Sequence, residues 1–138
     1  MAVTQLSVFL DNTAGRLAEV TRILGEKNIN IRGFSVADTA DFGILRLIVN
    51  NEAEAVKVLR AANFTVHEGP VILARIHDVP GGLARALSGF ARHSLNVEYA
   101  YAIVQSIIAF GVQDVGLGET ILRDAGIPLV PPDELVEV

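Results

Sequence analysis

Cysteine is absent from the 138-residue chain. That excludes disulfides, thiolate metal sites and a cysteine nucleophile. Clustered basic charge is missing too. Lys and Arg number 11 against 16 Asp and Glu, a net charge of −5, and the basic residues are scattered along the chain, so no nucleic-acid footprint is expected. No apolar run approaches the about 20 residues that a membrane helix needs. Met1-Ala2-Val3-Thr4-Gln5 lacks the charged start and long apolar stretch of a secretory leader. These absences lead us to expect a soluble, cytoplasmic protein without nucleic-acid or membrane partners. Catalytic signatures are equally scarce. There is no Gly-x-Ser-x-Gly elbow, and the glycine-rich turns lack a P-loop lysine. His67, His77 and His93 have no compact ligand spacing, so neither a metal, a cofactor nor catalytic residues are expected.

What the chain has is apolar content, 51% of its residues, enough for a substantial core. It also has two related hexapeptides. Asn12-Thr13-Ala14-Gly15-Arg16-Leu17 and Asp78-Val79-Pro80-Gly81-Gly82-Leu83 each follow an apolar run and open a stretch of helical spacing. Each reads as a turn from a strand into a helix N-terminus, where free N–H groups and a partial positive charge suit a carboxylate or phosphate. Asn12, Thr13 or Asp78 could cap these helices; Asn12 and Asp78 could equally face a ligand.

The spacing predicts a strand over 3–10 and a helix carrying Leu17, Val20, Ile23 and Leu24 that ends near Lys27-Asn28. A second strand spans 29–36, with a bulge at Gly33 where the apolar parity slips. After a hairpin at 38–41 come a third strand over 44–49, a helix capped by Asn50 or Asn51, and a short fourth strand at Phe64-Thr65-Val66. Gly69-Pro70 punctuates the chain, and the pattern recurs. A strand at 71–76 leads to the His77–Gly82 turn and a helix with Leu83, Leu87 and Phe90 in register. Then come an alternating strand over 95–101, its partner over 107–112, a helix over 117–125 and a last strand at 127–130. The acidic tail 133–138 is left mobile or paired along an edge.

The recurrence is a duplication. A shift of 66 positions aligns Leu10 with Ile76, Gly15 with Gly81, Leu17 with Leu83 and Asn30 with Asn96. After a hairpin shorter by three residues, Leu59-Arg60 meets Leu122-Arg123 and Phe64 meets Ile127. A period of about 65 residues is too long for a solenoid. We expect an α/β (α+β) chain of two tandem ferredoxin-like βαββαβ sandwiches, spanning 1–69 and 70–138. Each would have an antiparallel four-stranded sheet with its helices on one face. Ile44, Ile48, Ile108 and Phe110 make the third strands apolar on both faces, so an open sheet face and a homodimer or larger assembly are expected.

The turn Asp78-Val79-Pro80-Gly81-Gly82-Leu83, together with Asn30-Ile31 and Asn96-Val97 opening the second strands, resembles the ACT domain. The first turn is similar at Gly15 and Leu17, with Asn12 in place of the acid and Ala14 in place of proline. The resemblance implies a stand-alone tandem-ACT regulatory protein, not an enzyme. Such a protein binds a small ligand, most often an amino acid, at a seam between domains and relays it to a partner. It implies ligand contacts at Asn12, Thr13, Ala14, Gly15, Arg16 and Leu17 with Asn28, Ile29, Asn30 and Ile31. In the second copy it implies His77, Asp78, Val79, Pro80, Gly81, Gly82 and Leu83 with Ser94, Leu95, Asn96 and Val97. The rival readings are an interaction subunit that binds no ligand and a small ferredoxin-like enzyme.

Overall fold

A computed structural model describes residues 2–11, 13–38, 42–104 and 106–135. Thr4–Gly69 form one compact unit; the chain from Pro70 onward, joined by the first residues, forms another. The N-terminal unit runs β1 (Val3–Asp11), α1 (Arg16–Glu26), β2 (Ile31–Asp38), β3 (Phe42–Val49), α2 (Glu52–Ala61) and the start of β4 (Thr65–Arg75). Its strands lie in the order β2-β3-β1-β4. The C-terminal unit continues from β4 with α3 (Gly82–Arg92), β5 (Val97–Ala102), β6 (Ile107–Val112) and α4 (Val115–Asp124), then a 3₁₀ turn at Pro132–Leu135. Its order is β4-β6-β5. This is the α+β fold with βαββαβ repeats, and the β1/β3, β2/β3, β4/β6 and β5/β6 pairings are antiparallel.

The strand count departs from two four-stranded sheets. The two strands expected on either side of Gly69-Pro70 are one continuous β4, with the glycine and proline inside it. Proline fits a strand where no ladder donor is needed, and pairing with β6 starts beyond it at Ile72. The last strand shrinks to one bridge, Ala74 to Leu129. Backbone bonds from Arg75 N–H to Pro128 O (2.9 Å) and from Val130 N–H to Leu73 O (2.8 Å) flank it. Pro128 and Pro132 lack the N–H donors that would extend it.

Strand parity sets the cores. In the N-terminal unit Leu6, Val8 and Leu10 of β1 and Leu45, Leu47 and Val49 of β3 pack with Val20 and Leu24 of α1 and Ala55, Val56 and Leu59 of α2. In the C-terminal unit Ile72, Ala74, Phe110 and Val112 pack with Ala86 and Phe90 of α3 and Ile121 and Leu122 of α4. Two expectations are corrected. Phe110 is core and Ile108 packs against the same core, opposite Ile72 and Ala74, so neither marks an open sheet face. Ile48 is also buried. On α3, Leu83 and Leu87 are exposed, and Ala86, Gly89 and Phe90 face inward. Gly89 explains the rotation, because a Cβ there would lie 3.1 Å from Ile121 Cγ2. A side with Ala and Gly lets α3 approach α4 more closely than a leucine stripe would.

The bulge at Gly33 is present, between Ile31 and Gly33 of β2. An equivalent one lies between Val97 and Tyr99 of β5, where clean alternation was expected. Leu95 and Val97 therefore pack against the helix-side core, while Tyr99 covers Gly111 and stacks with Tyr101 at 6.4 Å. Across the first bulge Gly33 faces Ile48; across the second Tyr99 faces Gly111. Large and small have changed places.

Candidate functional site

Each strand–helix turn is built on a glycine in the left-handed region. Gly15 (φ +91°) and Gly81 (φ +83°) are the N-cap residues of α1 and α3, and neither helix receives a side-chain cap. Thr13 does not cap α1; its hydroxyl donates to Asp11 Oδ2 at 3.1 Å. Asp78 does not cap α3 and is exposed. Asn12, expected to cap or bind, lies outside the described residues. By contrast, α2 and α4 are capped in the ordinary way. Asn51 Oδ1 accepts from Glu54 N–H (3.2 Å) and Asp114 Oδ1 from Leu117 N–H (3.0 Å).

The two turns are filled differently. In the first, Arg16 Nε donates to Asp11 Oδ1 at 2.8 Å and Nη1 to Glu19 Oε2 at 2.9 Å. The guanidinium carbon lies 4.2 Å from the centre of the Phe64 ring, a cation–π contact. The hydrogen bond from Arg16, with a second from Thr13, holds the Asp11 carboxyl below its ordinary range, and the same pairing with Asp11 raises Arg16. Gly15 and Leu17 are exposed beside this cluster, as are Thr13 and Ala14.

In the second turn, Val79 N–H bonds His77 O (2.9 Å) and Gly82 N–H bonds Val79 O (3.0 Å). A Cβ on Gly82 would collide with the His77 carbonyl, so this position tolerates only glycine as the backbone runs. His77, Asp78, Val79, Pro80, Gly81 and Leu83 are exposed. A cavity of about 240 Å³ lies between the turn and the end of α4, lined among others by Arg75, His77, Gly81, Gly82, Arg85 and Ile127. Arg85 donates across it to the Ala125 carbonyl. A second cavity of about 260 Å³ shares Arg75, Ile76, His77 and Pro128 and adds Asp78 and Ser106. Arg75, Arg85, Ser106 and the 126–128 segment are not among the residues expected from sequence.

The second-strand starts lie elsewhere in each unit. The turn and the strand start sit at opposite ends of an eleven-residue helix, about 16 Å apart at 1.5 Å per residue. Neither unit brings its own two segments together. Asn28 (φ +59°) is exposed, Ile29 is core, and Asn30 uses its N–H on Asn50 Oδ1 (3.0 Å). Ile31 packs against the core beside them. Ser94, Leu95, Asn96 and Val97 line a separate cavity of about 380 Å³ with Leu87 and Phe90. Of the other histidines, His67 meets the Phe9 ring edge-on at 5.2 Å, and His93 Nδ1 lies 2.9 Å from the Gly89 carbonyl. Among the described residues no group of His, Asp or Glu could hold a metal ion, and no helix is long and apolar enough to cross a membrane.

No curated protein matches the sequence. Among solved structures, protein BT0572 from Bacteroides thetaiotaomicron shares 32% identity, covering 100% of this chain and 98% of its own, with a TM-score of 0.92. The ligand-free regulatory subunit of aspartate kinase from Thermus thermophilus superimposes with a TM-score of 0.67 over 91% of this chain and 93% of its own. At 14% identity that likeness is one of fold. The corresponding subunit from Thermus flavus gives the same TM-score and identity, covering 91% and 92%. The family model described as the ACT domain pair matches residues 1–128. With its doubled βαββαβ order and its two glycine-capped turns, the chain belongs to the ACT domain pair family, a family of regulatory, ligand-binding proteins.

Proposed function

We propose that this chain is a non-catalytic regulatory protein that binds an amino acid at the His77–Gly82 turn of its C-terminal unit and relays binding to a partner protein. The observation that carries the reading is the pair of cavities meeting at Arg75, Ile76, His77 and Pro128. One adds Arg85 and the glycine backbone of the turn, the other adds the Asp78 carboxylate and Ser106. A zwitterion needs such a pair of ends, cationic for its carboxylate and anionic for its ammonium. The family supports a regulatory role. The N-terminal turn, filled by Arg16, takes no ligand in this reading, so one amino acid binds per chain.

A homodimer belongs to the same proposal, on different grounds from the apolar third strands. Phe34 and Val36, 59% and 48% exposed, lie on the outer strand β2 at the ends of rows whose inner members, Leu47 and Leu45, are core. Exposed apolar side chains of that size on an unpaired strand edge favour a covering chain.

The test is a thermal-shift screen of the whole chain against the twenty amino acids and a set of 2-oxo acids. A ligand at a hundred times its Kd adds about 2.7 kcal/mol, which for a chain of this size is a rise on the order of 10 °C. One amino acid giving that rise, and losing it in Asp78→Ala, is the expected result. A flat screen on folded protein would overturn the reading in favour of an interaction subunit.

A further inference from the structure

The duplicated architecture allows the two turns to be compared position by position. Asp11, Arg16, Glu19 and Phe64 correspond to His77, Gly82, Arg85 and Ile127. The first four make a filled cluster, a guanidinium held by two carboxylates over an aromatic ring. All four of their counterparts line the 240 Å³ cavity. The position that carries the clustered guanidinium in one unit carries only a hydrogen in the other, and the charged residues around it change sign. Two carboxylates that hold a cation are replaced by a histidine and an arginine. Arg75 adds a second guanidinium, and among the described residues no Asp or Glu lines the cavity. By charge, it selects an anion where its counterpart holds a cation.

Among the described residues, a carboxylate just outside this cavity reaches Arg75. Glu134, in the 3₁₀ turn Pro132–Leu135, accepts from Arg75 Nη2 at 2.9 Å. Both side chains are nearly half exposed, so the pair is weak and readily exchanged. The Glu134 carboxylate has the same chemistry as the anion the cavity favours.

We infer that the Arg75–Arg85 cavity is a carboxylate seat and that Glu134 is its built-in competitor, so that a ligand carboxylate displaces Glu134 from Arg75 and frees the Pro132–Leu135 turn. This rests on the proposed function and adds to it a means by which binding is passed on. The ligand and the C-terminal turn share one guanidinium, so the released turn reports occupancy. A weak pair suits that task, since a ligand shifts the balance only by its differential interaction with the two states.

The experiment is an NMR titration of the full chain with sodium acetate, against sodium chloride at equal ionic strength. It follows the Arg75 and Arg85 Nε–H groups and the Glu134 backbone amide. We expect all three to respond to acetate with a common midpoint. In Glu134→Gln that midpoint falls about two- to fivefold, the range set by the worth of an exposed pair. In Arg75→Gln the Glu134 response disappears. An unchanged midpoint in Glu134→Gln, or a Glu134 amide that stays silent while Arg85 responds, overturns the competition. If acetate moves none of the three while the amino-acid screen gives a hit, the seat assigned here is wrong and the regulatory reading stands. If the screen is flat as well, both fall.

Discussion

Two glycines side by side in the second turn are required for different reasons, and substitution separates them. Gly81 is needed for its conformation: φ is +83°, and nothing lies within 4 Å of where its Cβ would be. Gly81→Ala should cost about 1–2 kcal/mol, the left-handed penalty of an L-residue. Gly82 is needed for its space, because a Cβ there meets the His77 carbonyl, part of the backbone rather than a side chain that can swing away. Gly82→Ala should cost about 1–3 kcal/mol, as overpacking does, and should also displace His77, which lines both cavities. Urea denaturation reads the first cost. Ligand titration separates the second, since Gly82→Ala alone should weaken binding beyond its effect on stability. In the first turn, Asp11 predicts a pH effect. Its carboxyl titrates lower in the folded chain than in the unfolded one, held down by Arg16. The stability it adds is present above the unfolded value near about 3.9 and is lost as pH falls through the folded value. Urea midpoints should therefore fall less steeply in Asp11→Asn than in the parent between pH 5 and 3, a window set by the about 3.9 reference.

At the scale of elements, what decides is whether a helix start is capped by a side chain or left open. Asn51 and Asp114 cap α2 and α4, and Asn51→Ala and Asp114→Ala should each lower stability by about 1 kcal/mol in urea melts. Asp78→Ala should leave stability nearly unchanged, because Asp78 caps nothing; a loss equal to that of Asp114→Ala would return it to a structural role. How far these elements were legible depends on whether their signal is local. The β2 bulge is visible in sequence because Gly33 breaks the apolar parity. The β5 bulge is not, because Tyr99 stands in the glycine's place and the accommodating glycine is Gly111, on another strand. The face of α3 is not legible in the sequence, because Leu83 and Leu87 carry the stronger apolar signal. The packing that turns them outward depends on Gly89 meeting Ile121 of α4. Gly69-Pro70 looks like a break, yet β4 runs through it, and its pairing with β6 from Ile72 onward joins residues far apart in sequence.

At the scale of the whole chain, the candidate site shows the same limit. The two turns were legible as motifs. The residues that make one of them a cavity, Arg75 at the end of β4, Arg85 on α3 and the segment after α4, converge only on folding. The charge inversion was nonetheless written in the repeat, as Glu19 against Arg85 and Arg16 against Gly82, and aligning the copies by charge as well as by apolar position would have exposed it. The duplication thus does not imply two equivalent sites. Arg16 keeps two carboxylates and an aromatic face satisfied, so a ligand there would have to break contacts that the second turn does not contain. Calorimetry with the amino acid found by screening should give one site per chain. Arg16→Ala should leave both that stoichiometry and that affinity unchanged, while Arg85→Gln should weaken binding about tenfold or more, the loss of one charge-assisted hydrogen bond worth 1.5–3 kcal/mol. Two equivalent sites, or a loss of affinity in Arg16→Ala, would mean that the filled turn opens for ligand and that the asymmetry between the two copies is only one of packing.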